Sequence, residues 1–60
     1  GGGCPAAWSA QIYPTTGTRV SQDGIEYQSC YYANANQEPK TYSTTNCTSG
    51  DPWIVVGPCS

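Results

Sequence analysis

Four cysteines and no histidine in a chain of 60 residues constrain this sequence more than any other feature. A domain of this size buries only about 60% of the surface its unfolded chain exposes, so it is marginal without covalent help. The missing histidine argues against a Cys/His zinc site. A four-cysteine site is disfavoured because positions 4, 30, 47 and 59 lack the close Cys-x-x-Cys pairing usual in such sites. Two disulfides are therefore expected, which makes the chain extracytoplasmic. Three pairings are open to four cysteines. Placement suggests nesting, with Cys4 and Cys59 near the ends and Cys30 and Cys47 inside. A terminal clamp of that span stabilises by roughly 3 to 5 kcal/mol through the unfolded chain.

The rest of the chain is patterned for β-structure. Thr18-Arg19-Val20 precedes the turn signal Gln22-Asp23-Gly24, and a second run follows over residues 25–31; Asp-Gly between two such runs is a strong hairpin cue. Residues 34–40 are polar and contain Pro39, and residues 41–50 are rich in Ser, Thr and Asn, so both read as irregular loop. Ser49-Gly50-Asp51-Pro52 turns the chain into Trp53-Ile54-Val55-Val56, closed by Gly57-Pro58. Helical periodicity is absent. The expected fold is a small all-β domain over residues 4–60, a short three-stranded antiparallel sheet with long loops stapled by two disulfides. Gly1-Gly2-Gly3 reads as the end of a linker.

Charge excludes several function classes. Arg19 and Lys40 are the only cations, set against Asp23, Glu26, Glu38 and Asp51, and nucleic-acid binding needs clustered Lys and Arg. The longest apolar run is strand-sized, far short of a membrane span. No signal peptide is visible, so the chain reads as a mature form or an excised module, and secretion is inferred from the cysteines alone. General acid–base chemistry near neutral pH draws on histidine or tuned carboxylate pairs. Here histidine is missing, the acids lie in turns and loops, and no base is present to activate a serine or threonine. Asp23 and Asp51 are best explained as turn formers. A catalytic role and a cofactor are not expected. Asn46-Cys47-Thr48 fits the N-glycosylation pattern, and with Cys47 expected in a disulfide it is read as a chance match.

The aromatic inventory is unusual: Trp8, Tyr13, Tyr27, Tyr31, Tyr32, Tyr42 and Trp53, with no phenylalanine. Every one of these rings carries an O–H or N–H and can lie half in water. Tyr27 alternates with Ile25 and reads as core, as does Trp53 beside the terminal cysteine. Trp8 either caps the core or extends an exposed platform, and Tyr13 and Tyr42 are undecided. Tyr31 and Tyr32 are adjacent, and a regular strand would bury one of them. A core this small has no room for both, so they are expected at the surface, with Cys30 ending or distorting the strand so that both rings reach one face.

At this point the residues resemble a known group. Ala7-Trp8, Gly17-Thr18-Arg19-Val20, Asp23-Gly24-Ile25-Glu26-Tyr27, Tyr31-Tyr32 and Pro52-Trp53-Ile54-Val55-Val56-Gly57-Pro58-Cys59 are similar to the small chitin-binding modules of carbohydrate-binding families 5 and 12, and to the related family 73. The similarity runs over residues 4–59, and its most specific piece is the P-W-x-x-x-G-x-C ending. The resemblance implies a small, non-catalytic module that binds insoluble β-1,4-linked polysaccharide, chitin first and cellulose second. It further implies covalent attachment to a chitinase, cellulase or lytic polysaccharide monooxygenase. A monomer is expected. The ligand-binding residues it implies are Tyr31 and Tyr32, joined by Trp8 or Tyr13 from the N-terminal half; a Cys4–Cys59 clamp has counterparts in the group. The chain departs from the usual pattern in its two tyrosines where tryptophans are commoner, in Cys30, and in the insertion over residues 34–49. That insertion would be pinned to the sheet by a Cys30–Cys47 bridge and could bring Tyr42 to the binding face. Two other functions compete: a stapled inhibitor or effector that binds a protein, for which Lys40 after Pro39 is the sole anchor, and a structural spacer, which leaves the many rings unexplained.

Overall fold

A computed structural model describes residues 3–48 and 50–59; Gly1 and Gly2 of the expected linker end, Ser49 of the expected turn and Ser60 lie outside the described residues. β1 (Arg19–Gln22) and β2 (Ile25–Ser29) form the hairpin signalled by Asp23-Gly24. Both turn residues have positive φ, 53° and 79°, the type I′ geometry whose twist matches that of the flanking strands. β4 (Trp53–Pro58) pairs antiparallel with the other edge of β2, from Ser29↔Trp53 to Ile25↔Pro58.

The sheet has four strands where three were expected. β3 (Ser43–Thr44) lies parallel to β4 on its outer side and gives the order β1-β2-β4-β3. It falls in the stretch read as irregular loop. Its pairing is set by the backbone, with Ser43 beside Trp53 and Thr44 beside Ile54, and two polar residues leave no apolar alternation to read. β2 also ends at Ser29, two residues short of the run expected to continue to Tyr31.

A bulge shapes β4. Glu26 pairs with Gly57 and Tyr27 with Val55, so Val56 is the extra residue. Gly57 adopts a φ of 145°, which glycine tolerates and other residues rarely adopt. Along the apolar run, Trp53 is completely buried, Ile54 half-buried, and Val55 and Val56 are both exposed.

The core is built from Val20, Tyr27, Ala33 and Trp53, with Trp8, Tyr13, Ile25 and Tyr42 packed around it. Tyr27 and Trp53 thus take the core positions expected of them. Trp53 and Tyr13 form a T-shaped pair at a centroid distance of 5.4 Å, and the indole N–H donates to the Gln37 carbonyl at 2.8 Å. An aromatic ring of this size buries about 150–250 Å², worth roughly 4–6 kcal/mol before the entropy of ordering it.

The cysteines pair as Cys4–Cys59 and Cys30–Cys47, spanning 55 and 17 positions. Loop-closure arguments assign these about 4 and about 3 kcal/mol. Cys59 is also tied to the hairpin, its N–H donating to the Gly24 carbonyl at 3.0 Å. Gly3 lies against the same clamp, where an added Cβ would stand 2.7 Å from the Cys59 carbonyl oxygen. Two disulfides fit an oxidising environment. No helix among the described residues is long and apolar enough to cross a membrane.

Replacing Trp53 by alanine is expected to cost about 3–5 kcal/mol, a loss comparable to the whole stability of a domain this small. Urea unfolding followed by near-UV circular dichroism should lose its cooperative transition, whereas Trp53→Phe, which forfeits the N–H bond but keeps a ring, should retain one at a lower midpoint. An unchanged midpoint for Trp53→Ala would show that the core does not depend on this side chain.

Candidate functional site

The site is built where β2 stops. Cys30 donates its N–H to the Pro52 carbonyl at 2.7 Å while its sulfur is bonded to Cys47, and the chain bends through Cys30 and Tyr31. Three residues on, Ala33 is completely buried and exchanges two backbone bonds with Tyr13, at 2.8 and 3.0 Å. Tyr31 and Tyr32 lie between these two anchors and remain 45% and 50% exposed. The tyrosine pair thus escapes strand alternation because the strand has ended. The Tyr31 hydroxyl donates to the Cys47 carbonyl, which ties the ring to the far side of the disulfide.

The Tyr13–Ala33 bridge orders its surroundings in the same way. It is antiparallel, and both of its residues face inward, so the positions on either side of each turn outward. Burial follows that rule: Ile12, Pro14, Tyr32 and Asn34 are all exposed, Ile12 by 52%. Ile12 and Pro14 flank one side of this isolated bridge, and Tyr32 and Asn34 the other. Polar groups border this face. The Gln37 side-chain oxygen accepts bonds from the Asn34 N–H at 2.9 Å and its Nδ2 at 3.3 Å, and Asn34 Oδ1 has no partner among the described residues.

The two N-terminal rings proposed as partners for Tyr31 and Tyr32 are placed differently. Trp8 is held alongside β1, where Ala7 bridges to Ser21 and the Trp8 N–H donates to the Ser21 carbonyl at 2.9 Å. It is half-buried against the core, and its indole N–H is buried with no partner among the described residues. Tyr13 is brought next to the tyrosine pair by its backbone, but its ring turns inward to Trp53. Its phenolic oxygen accepts from the Ser9 N–H at 3.1 Å and from Gln11 Nε2 at 3.4 Å, with Ser9 Oγ also at 3.4 Å. Burial by itself would raise the Tyr13 phenol; these hydrogen bonds outweigh it and hold it below the usual tyrosine value. Tyr42, the ring of the insertion, packs against the core, and its carbonyl accepts from the Trp53 N–H at 3.3 Å.

Sequence reasoning missed Ile12 and Pro14. The signal was present only conditionally: once Tyr13 is known to face inward, alternation sends both of its neighbours out. Four of the six charged side chains lie in two ion pairs on the hairpin side, Arg19 with a partly buried Glu26 at 2.7 Å and Lys40 with Asp23 at 3.5 Å. Among the described residues there is no pocket and no cluster of three metal-ligating side chains. What the arrangement offers is a surface: two half-exposed phenol rings on a backbone anchored at both ends, one of them tied by its hydroxyl, with an exposed aliphatic side chain and an amide near the same bridge. Comparison with protein-family models, with curated proteins and with solved structures finds no match.

Tyr31→Phe removes the hydroxyl that reaches Cys47 and keeps the ring. A loss of about 0.5–1 kcal/mol is expected, measurable as a lower urea midpoint. Amide exchange should quicken at Cys47 and Thr48 more than in β1; uniform quickening would mean that the bond does not fasten this loop.

Proposed function

We propose that this chain is a non-catalytic binding module for an insoluble β-1,4-linked polysaccharide, chitin first and cellulose second, which holds a covalently attached degrading enzyme on its substrate. The observation that carries this reading is the pair of half-exposed tyrosines fixed between a disulfide and a backbone bridge. A pyranose ring presents flat C–H faces, and an exposed aromatic ring matches them. Covering one face of a tyrosine removes about 80 Å² of apolar surface, worth roughly 2 kcal/mol. One ring would scarcely hold a sugar against the cost of association; two rings with side-chain amides beside them reach a useful affinity. Rigidity adds to this, because the Tyr31 ring, already tied to the Cys47 carbonyl, loses little freedom on binding. The similarity to small chitin-binding modules points to the same class of ligand, and the disulfides suit a secreted protein. Tethering to an enzyme raises local concentration without any further chemistry.

The competing reading, a stapled inhibitor anchored by Lys40, is less well supported. The Lys40 ammonium stands by Asp23, and its backbone N–H donates to the Gln22 side chain at 3.1 Å, so the residue is drawn down on the hairpin.

Depletion assays with chitin, crystalline cellulose and soluble xylan test the proposal. Retention on chitin is expected, weaker retention on cellulose, and none on xylan. Tyr31→Ala and Tyr32→Ala should each weaken chitin binding by about 10- to 30-fold, the equivalent of one ring face, with the unfolding midpoint of Tyr32→Ala nearly unchanged. No retention on any of the three polymers would overturn the proposal.

A further inference from the structure

Among the exposed large apolar side chains, Val55 and Val56 lie on β4 and Tyr31 and Tyr32 follow the end of β2, while Ile12 belongs to the N-terminal arm. A single exposed isoleucine needs no explanation by itself. This one flanks inward-facing Tyr13 as Tyr32 flanks buried Ala33 across an antiparallel bridge, and both are exposed, which puts Ile12 and Tyr32 on the outward side of the same bridge. From that placement we infer that Ile12 packs against the acetamido methyl group of a chitin chain stacked on Tyr32, and so is the residue that makes the surface prefer chitin to cellulose. The inference rests on the binding function proposed above.

The chemistry follows from how the two polymers differ. Chitin and cellulose share the C–H faces that a phenol ring covers, so Tyr31 and Tyr32 cannot tell them apart. They differ at carbon 2, which bears an acetamido group in one and a hydroxyl in the other. Successive sugars of a β-1,4 chain are turned by half a turn, so this substituent projects to alternate sides of the stacked ring. A discriminating group must lie beside the ring, gain from a methyl and gain nothing from a hydroxyl. An aliphatic side chain on the outward side of the bridge that carries Tyr32 meets all of these requirements. Asn34 adds a polar contact without discriminating strongly, because Oδ1 can accept either from the acetamido N–H or from a hydroxyl. Burying one methyl-sized group changes affinity by about fourfold.

The test uses binding isotherms on chitin and on crystalline cellulose for the wild type, Ile12→Ser, Ile12→Leu and Tyr32→Ala. Ile12→Ser should weaken chitin binding by about fourfold and leave cellulose binding within about twofold, closing the gap between the polymers. Ile12→Leu should keep most of the preference. Tyr32→Ala should weaken both polymers. With a soluble chitin hexamer, nuclear Overhauser contacts should join the Ile12 methyls to the acetyl methyl. If Ile12→Ser affects both polymers equally or neither, or the wild type prefers cellulose, or the methyl contacts are absent from a saturated complex, the role of Ile12 is overturned while binding of a β-1,4-linked polysaccharide stands. If the wild type is retained on neither polymer, or Tyr32→Ala changes nothing, the binding function falls and this inference with it.

Discussion

Trp53 is the side chain on which the other parts of this fold converge. Its backbone pairs with Ser29 of β2 on one side and with Ser43 of β3 on the other, its ring forms a T-shaped pair with Tyr13, and its N–H is satisfied by the Gln37 carbonyl of the long insertion. One completely buried indole therefore joins the sheet, the N-terminal arm and the loop over residues 34–40. A chain this short has few apolar residues with which to do the same job several times. The disulfides reduce the entropy of the unfolded chain, but the packing around Trp53 decides which compact arrangement is chosen.

That arrangement accounts for the exposed tyrosines without special pleading. With Trp53, Tyr27, Val20 and Ala33 filling the interior and Trp8, Tyr13, Ile25 and Tyr42 leaning on it, no volume is left for two further phenols. Cys30 turns the chain out of the sheet, and Ala33, the smallest residue that can be buried with a side chain, brings it back. Tyr31 and Tyr32 span the interval. Their exposure follows from a saturated core, and their fixed position from the anchors on both sides.

The parts of the fold legible in the sequence are those encoded by neighbouring residues. Asp23-Gly24 announces a hairpin because two consecutive positive φ values are needed there, and the hairpin is found. Nesting of the cysteines is one of three possible pairings, the one that their placement suggests, and the observed bridges agree with it. The parts that escaped depend on distant partners. β3 exists because Ser43 and Thr44 meet β4, and nothing in their side chains says so. The β4 bulge is a mismatch of register between two strands, written in neither strand alone. The same limit applies to the candidate site. Tyr31 and Tyr32 could be read as surface residues from volume alone, whereas the inward turn of Tyr13 depends on where Ala33 and Trp53 lie.

The N-terminal arm shows why identity and position must be weighed together in a small domain. Judged by residue type, Trp8 and Tyr13 are the natural extensions of a tyrosine platform. Trp8 is instead bound to β1 through Ser21, and Tyr13 closes the core over Trp53. Each is large enough to be worth more as packing than as surface, because burying a ring in a core short of apolar area is the larger gain. Residues that the core does not need are left to the surface beside Tyr32, and in this arm those are Ile12 and Pro14. A surface assembled this way inherits its rigidity from the core below it, since the bridge that aims Ile12 outward is the one that aims Tyr13 at Trp53.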